Sequence, residues 1–180
     1  VAAKDAILLQ YEEAATEVIY AFSRVEVGGQ RGSYQDGSVG AWAAEGLKRL
    51  GNLSRPHLQR LGLSPNYDKQ RAKEWGAKGV PDNLEAQAAN HRFETVSLVS
   101  SFNEAAALIQ SGYSVAVCSN RGFTMTRDKD GFCAPDGTWM HAMKFDAVRW
   151  DRPGLCCIQS WGPNTPNGPI VKNQPGNSFW

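Results

Sequence analysis

The apolar residues in the first part of the chain recur every three or four positions, which is the spacing of an amphipathic helix. This spacing predicts a first helix within residues 6–24; its apolar positions are Ile7, Leu8, Tyr11, Ala14, Ala15, Val18, Ile19 and Phe22. After a Gly-rich loop over residues 28–38, a second helix is predicted over Ala41–Leu50. We expect this helix to start near Ser38 and to be closed by Gly51 as a left-handed C-terminal cap.

The later part of the chain changes from helical spacing to short runs rich in β-branched and aromatic residues. Further helices are predicted over residues 67–75, ending at Gly76, over 82–89, and over 104–110 after a capping box at residues 101–104. Strands are predicted over residues 93–99, 113–118, 140–145, 147–150, 155–159 and 178–180. Helices come early and strands come late, so the predicted fold class is α+β.

The composition is that of one globular domain without a polyanion-binding surface. Of the 180 residues, 42% are hydrophobic and 21% are charged, and 19 Lys and Arg nearly balance 18 Asp and Glu. Nucleic acid is therefore not an expected partner, because no excess of positive charge would attract it. The longest apolar stretches are far shorter than the roughly 20 residues of a membrane span, so no span is expected.

The cysteines and the chain ends lead to three further expectations. The four cysteines, Cys118, Cys133, Cys156 and Cys157, lack the spacing of a structural zinc site, and we expect neither a metal nor a cofactor. Reduced thiols are the main expectation, with one disulfide between Cys118 and Cys133 as the alternative. The chain begins at Val1 without a secretory signal and ends in an apolar segment, so we expect it to be a processed part of a longer polypeptide.

Three separated segments of the chain are informative when they are considered together. They are Gln35-Asp36-Gly37-Ser38-Val39-Gly40-Ala41-Trp42-Ala43, Met140-His141-Ala142-Met143 and Ile158-Gln159-Ser160-Trp161-Gly162. In this order they resemble the papain-like cysteine peptidases, in which a Gln precedes a nucleophile at a helix start and a His strand and an Asn-Ser-Trp-Gly strand follow. The resemblance implies a helical half and a twisted antiparallel sheet or partial barrel, with a cleft between them.

The resemblance covers residues 35–180 in outline and assigns a role to each matching position. The catalytic positions are Ala41 in place of the nucleophilic Cys, His141 as general base, Gln159 in place of the orienting Asn, and Gln35 as oxyanion donor. Supporting positions are Trp42, Ser160 and Trp161, and the positions expected to line the substrate cleft are Gly40, Gly122 and Met140. The implied domain organisation is an N-terminal helical segment over residues 1–27 and a peptidase domain over 28–180.

Elementary chemistry explains why these residue types belong together. A thiol is a useful nucleophile only as thiolate, and a helix N-terminus with a neighbouring imidazolium lowers its pKa below the usual value of about 8.5. A carboxamide that accepts a hydrogen bond from the imidazole fixes the tautomer and the orientation of the ring. The Gln35 amide would donate to the oxyanion of a tetrahedral intermediate, an interaction worth on the order of 10²- to 10³-fold in rate.

The sequence departs from the family pattern at the nucleophile itself, because Ala has no atom that can attack a carbonyl. Ser38 and Val39 stand where the pattern has a second Cys and a Gly, and His141 follows position 41 by only 100 residues. The papain and cathepsin signature has about 130–150. A compact relative, such as the bacterial double-glycine-type peptidases, suits this shorter spacing better.

The missing nucleophile leaves several interpretations open. Ala41 is either a substitution that inactivates a peptidase or the natural residue of a pseudopeptidase that binds an extended peptide; Ser38 as a displaced nucleophile is a third explanation. The expected activity of the Cys form is cleavage of peptide or isopeptide bonds in a peptide or protein substrate. A cell-wall amidase or acyl transferase with the same Cys-His chemistry is the other enzyme class considered.

Overall fold

A computed structural model describes residues 12–162 and 165–180, and the chain forms two compact units, Val1–Ser97 and Leu98–Trp180. The first unit is helical and the second contains the sheet, so the predicted α+β class is confirmed. Each unit has a hydrophobic core of its own. None of the helices formed by the described residues is both long enough and apolar enough to cross a membrane.

The described part of the first unit, from residue 12 onward, forms five helices around one apolar core. They are α1 (Thr16–Ala21), which continues as a π-helical turn over Phe22–Val27, α2 (Gly40–Arg49), α3 (Arg55–Arg60), α4 (Lys69–Lys78) and α5 (Asp82–Ala88), which a 3-10 turn over Ala89–His91 follows. The buried core residues are Ala15, Val18, Ala21, Phe22, Leu53, Leu58, Val80, Leu84 and Ala88. The apolar stripe predicted from the sequence therefore packs on the core from Ala15 onward.

The structure agrees only in part with the first predicted helix and agrees closely with the second. Residues 6–11 of the first lie outside the described residues, and residues 12–15 are not helical, because Ala14 pairs with Ser54 in an antiparallel bridge. Helix α2 is confirmed within one residue of its predicted bounds, and Gly51 follows it with φ +86°, the conformation of the predicted cap.

Two further helices differ from the sequence prediction because of tertiary contacts. The helix predicted to end at Gly76 continues to Lys78, since Gly76 faces the core and a Cβ there would lie 2.5 Å from the Tyr20 ring. Glycine at this position serves close packing and does not end the helix. Helix α3, which the Pro-rich signals of this region did not predict, starts after Ser54, whose hydroxyl accepts from the His57 N–H at 3.3 Å.

The second unit packs one helix, α6 (Phe102–Gln110), with a four-stranded antiparallel sheet. The strands are β1 (Val115–Phe123), β2 (Pro135–Arg149), β3 (Gly154–Ile158) and β4 (Ser178–Phe179), and they lie in the order β1-β2-β3-β4 in an open sheet. One face carries a core of Cys133, Met143, Cys157 and Phe179. The predicted capping box holds in part: Ser101 Oγ accepts from the Glu104 N–H, while the Glu104 carboxylate accepts from Ser100.

Two strand predictions need correction. Residues 93–99 form no strand and are mostly exposed, so their alternating pattern is not the burial pattern of a sheet. The two strands predicted over 140–145 and 147–150 belong to one long strand, β2. An irregularity between Phe145 and Ala147 leaves Asp146 unpaired and reverses the alternation of side chains, so the sequence pattern breaks there although the strand continues.

One buried carboxylate ties together three parts of the first unit. Glu17 is fully buried, and its two carboxylate oxygens accept from Arg55 Nη1 at 2.6 Å and from Arg71 Nη2 at 2.7 Å. The backbone N–H of Asp68 also donates to Glu17, at 3.1 Å. Burial alone would raise the pKa of Glu17, but the hydrogen bonds from Arg71, Asp68 and Arg55 outweigh it and hold this pKa below its ordinary value. Glu17 is therefore ionised at neutral pH.

Candidate active site

Position 41 lies in the first turn of helix α2. Gly40 is the first helical residue, Val39 precedes it in extended conformation without a side-chain cap, and Ala41 is exposed. A side chain at position 41 therefore sits where the helix dipole stabilises negative charge. Trp42 anchors this turn, because its ring lies so close to Gly28 that a Cβ there would be 2.5 Å from the indole.

The loop before helix α2 carries Gln35, whose side chain is exposed. The loop is fixed to the π-helical turn by a hydrogen bond between the hydroxyls of Ser23 and Ser38. Ser38 is thus engaged with Ser23. The oxyanion role of Gln35 stays a prediction.

His141 lies on β2 opposite Ser119 and packs against an aromatic cluster of the second unit. Its ring is stacked on Trp161 with centroids 4.7 Å apart and planes 31° apart, and Trp139 meets Trp161 edge-on at 4.6 Å. Within residues 12–162 and 165–180, the buried His141 Nε2 has no hydrogen-bond partner. Burial lowers the pKa of His141, so the ring is neutral at pH 7 and able to accept a proton.

Gln159 follows β3 directly and is buried. Asn177 holds its backbone on both sides: the Gln159 N–H donates to the Asn177 carbonyl at 3.3 Å, and Asn177 Nδ2 donates to the Gln159 carbonyl at 3.0 Å. The Gln159 Oε1 accepts from the backbone N–H of Trp161. The carboxamide thereby fixes the residue that packs on the His141 ring.

The other predicted site residues lie in diverse environments. Met140 is 93% exposed and points away from His141, because neighbouring residues of a strand face opposite sides of the sheet. Gly122 is buried, and a Cβ there would overlap the carbonyl oxygen of Asp136, so this glycine permits the close approach of β1 and β2. Ser160 is exposed beside Trp161.

The structure therefore groups the predicted residues within each unit. In the second unit, His141, Trp161 and Gln159 lie together; in the first, Gly40, Ala41 and Trp42 form the start of α2. Sequence reasoning missed the role of Trp139 as the edge-on partner of Trp161, because a Trp two positions before a His has no motif of its own. It also did not predict that Arg24 is buried, because an Arg within an apolar stripe is expected to face solvent. Among the described residues, no three His, Cys, Asp or Glu side chains are placed to bind a metal.

All four cysteines are free thiols, and the considered disulfide between Cys118 and Cys133 is not formed. Cys118 is exposed on β1, whereas Cys133, Cys156 and Cys157 are buried. Burial raises the pKa of Cys133 and Cys156, and raises the pKa of Cys157 to about 12. The three buried thiols are therefore protonated and inaccessible at pH 8.

We expect the native protein to titrate as a single reactive thiol with Ellman's reagent at pH 8, and as four thiols after unfolding in guanidinium chloride. The C118S variant should show no fast-reacting thiol, which makes it the background for experiments at position 41. A second fast-reacting thiol in the native protein would contradict the burial of the other three.

Comparison with known proteins finds similarity at the level of the fold. No family model matches the sequence, and no curated protein matches it. Among solved structures, the chain is similar to xylellain, a cysteine protease from Xylella fastidiosa, with a TM-score of 0.63 and 15% identity. The match covers 98% of this chain and 66% of the xylellain chain, so this chain spans just under two thirds of its length. The chain thus shares its fold with a cysteine protease.

Proposed function

We propose that this chain is a papain-like cysteine peptidase domain that cleaves peptide or isopeptide bonds when a thiol is present at position 41, and that it is inactive with Ala41. The observation that carries the proposal is the coincidence of two independent features. The fold is shared with a cysteine protease, and the His141 ring packs against Trp161, whose backbone N–H donates to the Gln159 carboxamide.

The proposed chemistry assigns one step to each residue. A thiolate at position 41 attacks the substrate carbonyl, and the Gln35 amide donates to the oxyanion. His141, having taken the thiol proton, passes it to the leaving amine, and then activates the water that hydrolyses the thioester. Gln159 orients the ring, and Trp161 keeps water away from it. These steps require the thiolate and the imidazole to approach within hydrogen-bond distance.

A pocket in the first unit supports a peptide substrate. It has a volume of about 560 Å³, and Ser38 and Ala43 beside the start of α2 contribute to its lining. Ile19, Tyr20 and Ala72 provide apolar walls. An apolar side chain of an extended peptide would be buried there with a gain of roughly 1.5–3 kcal/mol.

A second function, peptide binding without cleavage, is favoured by Ala41 itself. The exposed methyl group at the start of α2 leaves room for a substrate but supplies no nucleophile. A Cys codon at position 41 of the parent gene would favour the peptidase, and an Ala codon would favour the binding module.

The test uses the A41C variant in a C118S background, so that no other accessible thiol competes. We expect a peptide with a terminal thiol-alkylating group to label A41C/C118S at position 41, whereas the C118S parent with Ala41 stays unlabelled. The same variant should cleave an unstructured protein such as casein. Absence of both labelling and cleavage in a folded A41C/C118S protein would rule out the peptidase proposal.

A further inference from the structure

One buried cation holds the loop that carries Gln35. Arg24 lies in the π-helical turn with 2% exposure, and all three of its guanidinium nitrogens donate to backbone carbonyls. Nε donates to Gly76 at 2.9 Å, Nη2 donates to Ser33 at 3.1 Å, and Nη1 donates to Gly37. The guanidinium thereby connects helix α4 to both ends of the segment 33–37.

Arg24 differs from the other buried arginines of this unit in the groups that surround its charge. Arg55 and Arg71 are paired with the Glu17 carboxylate. In the part of the chain that the structure describes, no carboxylate forms an ion pair with Arg24, and its charge meets only carbonyl dipoles and the Tyr20 ring, 5.3 Å away. Burying a cation without a counter-ion is costly, whereas an apolar side chain would fill the same space without that cost. The hydrogen bonds to the loop are therefore the specific contribution of Arg24.

The two loop carbonyls that accept from Arg24 are placed symmetrically about Gln35 in the sequence. Ser33 lies two residues before it and Gly37 two residues after it. Gly37 has φ +99°, a conformation that glycine adopts freely, so the loop has little intrinsic preference for its observed shape. The neighbouring Ser23 adds its hydrogen bond to Ser38. Two side chains of the π-helical turn, Ser23 and Arg24, thus hold the segment from Ser33 to Ser38.

We propose that Arg24 is a positioning residue for catalysis: it fixes the loop on both sides of Gln35 so that the Gln35 amide is held ready to donate to the oxyanion. This inference rests on the proposed function and extends it by a residue that the sequence motifs do not contain. Arg24 contacts neither substrate nor thiol, so its effect is limited to the stabilisation that Gln35 provides.

The decisive variant is Arg24→Lys, tested in the A41C/C118S protein. Lys keeps the positive charge but presents one nitrogen in place of the planar fork, so it cannot hold the three carbonyls together. We expect R24K to lower kcat by about 10- to 100-fold, below the limit of 10²- to 10³-fold expected for loss of the donor in Q35A. KM should change by less than about threefold, because the ground-state contacts of the substrate remain.

Two readouts separate positioning from a merely structural role. Alkylation of the thiol at position 41 by iodoacetamide forms no oxyanion, so its rate and pH profile should be the same with and without R24K. In a double-mutant cycle, R24K/Q35A should be about as slow as Q35A alone, because Arg24 acts through Gln35. If R24K proves unstable, R24A with added guanidinium ion should recover part of the lost kcat.

Arg31→Lys is the matched control. Arg31 also anchors this loop, through the Lys78 carbonyl and Glu26, but its side chain is 62% exposed and precedes the segment around Gln35. We expect R31K to leave kcat unchanged. Two outcomes in an active A41C/C118S protein would overturn the role of Arg24 while leaving the proposed function intact. In the first, R24K and Q35A lower kcat independently; in the second, R24K slows alkylation as much as it slows cleavage. An A41C/C118S protein that neither alkylates nor cleaves overturns both proposals together.

Discussion

Replacing His141 by Ala in the A41C/C118S protein is expected to lower kcat/KM for peptide cleavage on the order of 10⁴-fold, the largest activity effect that the proposed site implies. Without the imidazole, the thiol loses the group that takes its proton, and the leaving amine loses its proton donor. The measurement is hydrolysis of a fluorogenic peptide together with the rate of iodoacetamide alkylation, both across pH 5–9.

Lys144→Gln is the control for His141→Ala, because Lys144 lies on the same strand and forms only a partly exposed ion pair with Asp146. K144Q should leave kcat/KM within about twofold of the parent value. The free energies of unfolding of H141A and K144Q should be similar enough that a loss of folded protein does not account for the loss of activity. An H141A variant that retains parental activity in this background would show that another group serves as the base.

The ionisation of His141 provides a test that needs no substrate. Burial lowers the pKa of His141 in the Ala41 protein, so protonation destabilises the folded state and stability from this group falls as pH drops below the unfolded value of about 6.5. A thiolate within hydrogen-bond distance would raise this pKa in A41C/C118S, because opposite charges stabilise each other. NMR titration of the His141 ring in both proteins measures the difference, and an identical pKa would contradict the thiolate–imidazole contact.

Replacing Glu17 by Ala is expected to lower the free energy of unfolding by about 3–5 kcal/mol, the largest stability effect in the first unit. The substitution removes the only ion-pair partner that Arg71 has among the described residues and leaves two guanidinium groups buried without this carboxylate. Urea denaturation at pH 7 measures the loss. E17Q keeps most of the volume, so a similar loss in E17Q would assign the effect to charge.

Glu13→Ala is the matched control, because Glu13 also pairs with Arg55 but its side chain is 67% exposed. The loss in E13A should stay below about 1 kcal/mol. The pH dependence has a definite sign: the pKa of Glu17 is lowered from 4.5 in the folded state, so its contribution is present above about pH 4.5 and is lost as pH falls through the folded value. E17A should therefore lose less stability than the parent on acidification. Equal effects of E13A and E17A would contradict the burial argument.

Local sequence signals predicted the elements whose boundaries depend on their own residues. Helix α2, with Gly51 as its cap, and the start of α6 after Ser101 were confirmed within one or two residues, because capping is decided by neighbouring side chains. Elements that depend on distant contacts were missed or misplaced. Gly76 does not end α4 because Tyr20 packs against it, and residues 93–99 form no strand, although their pattern suits one.

The candidate site was likewise predictable only in its residue types and not in its geometry. The motifs predicted which residues would form one site, and the predicted fold agrees with the fold shared with a cysteine protease. The orientation of side chains could not be predicted, since Met140 and His141 are neighbours in the sequence but face opposite sides of β2. The packing of His141 against Trp161 depends on a contact between β2 and the segment that follows β3, and no local pattern encodes its geometry.

The sequence by itself determined the α+β class, the start of α2 within one residue and the set of candidate motif residues, because these follow from periodicity, capping and residue chemistry. Only the tertiary structure decided that Arg24 is buried against the carbonyls of Ser33, Gly37 and Gly76 and that Glu17 neutralises two arginines. The physical reason is that the state of a buried charge depends on partners that are distant in the sequence and are brought together only when the chain folds.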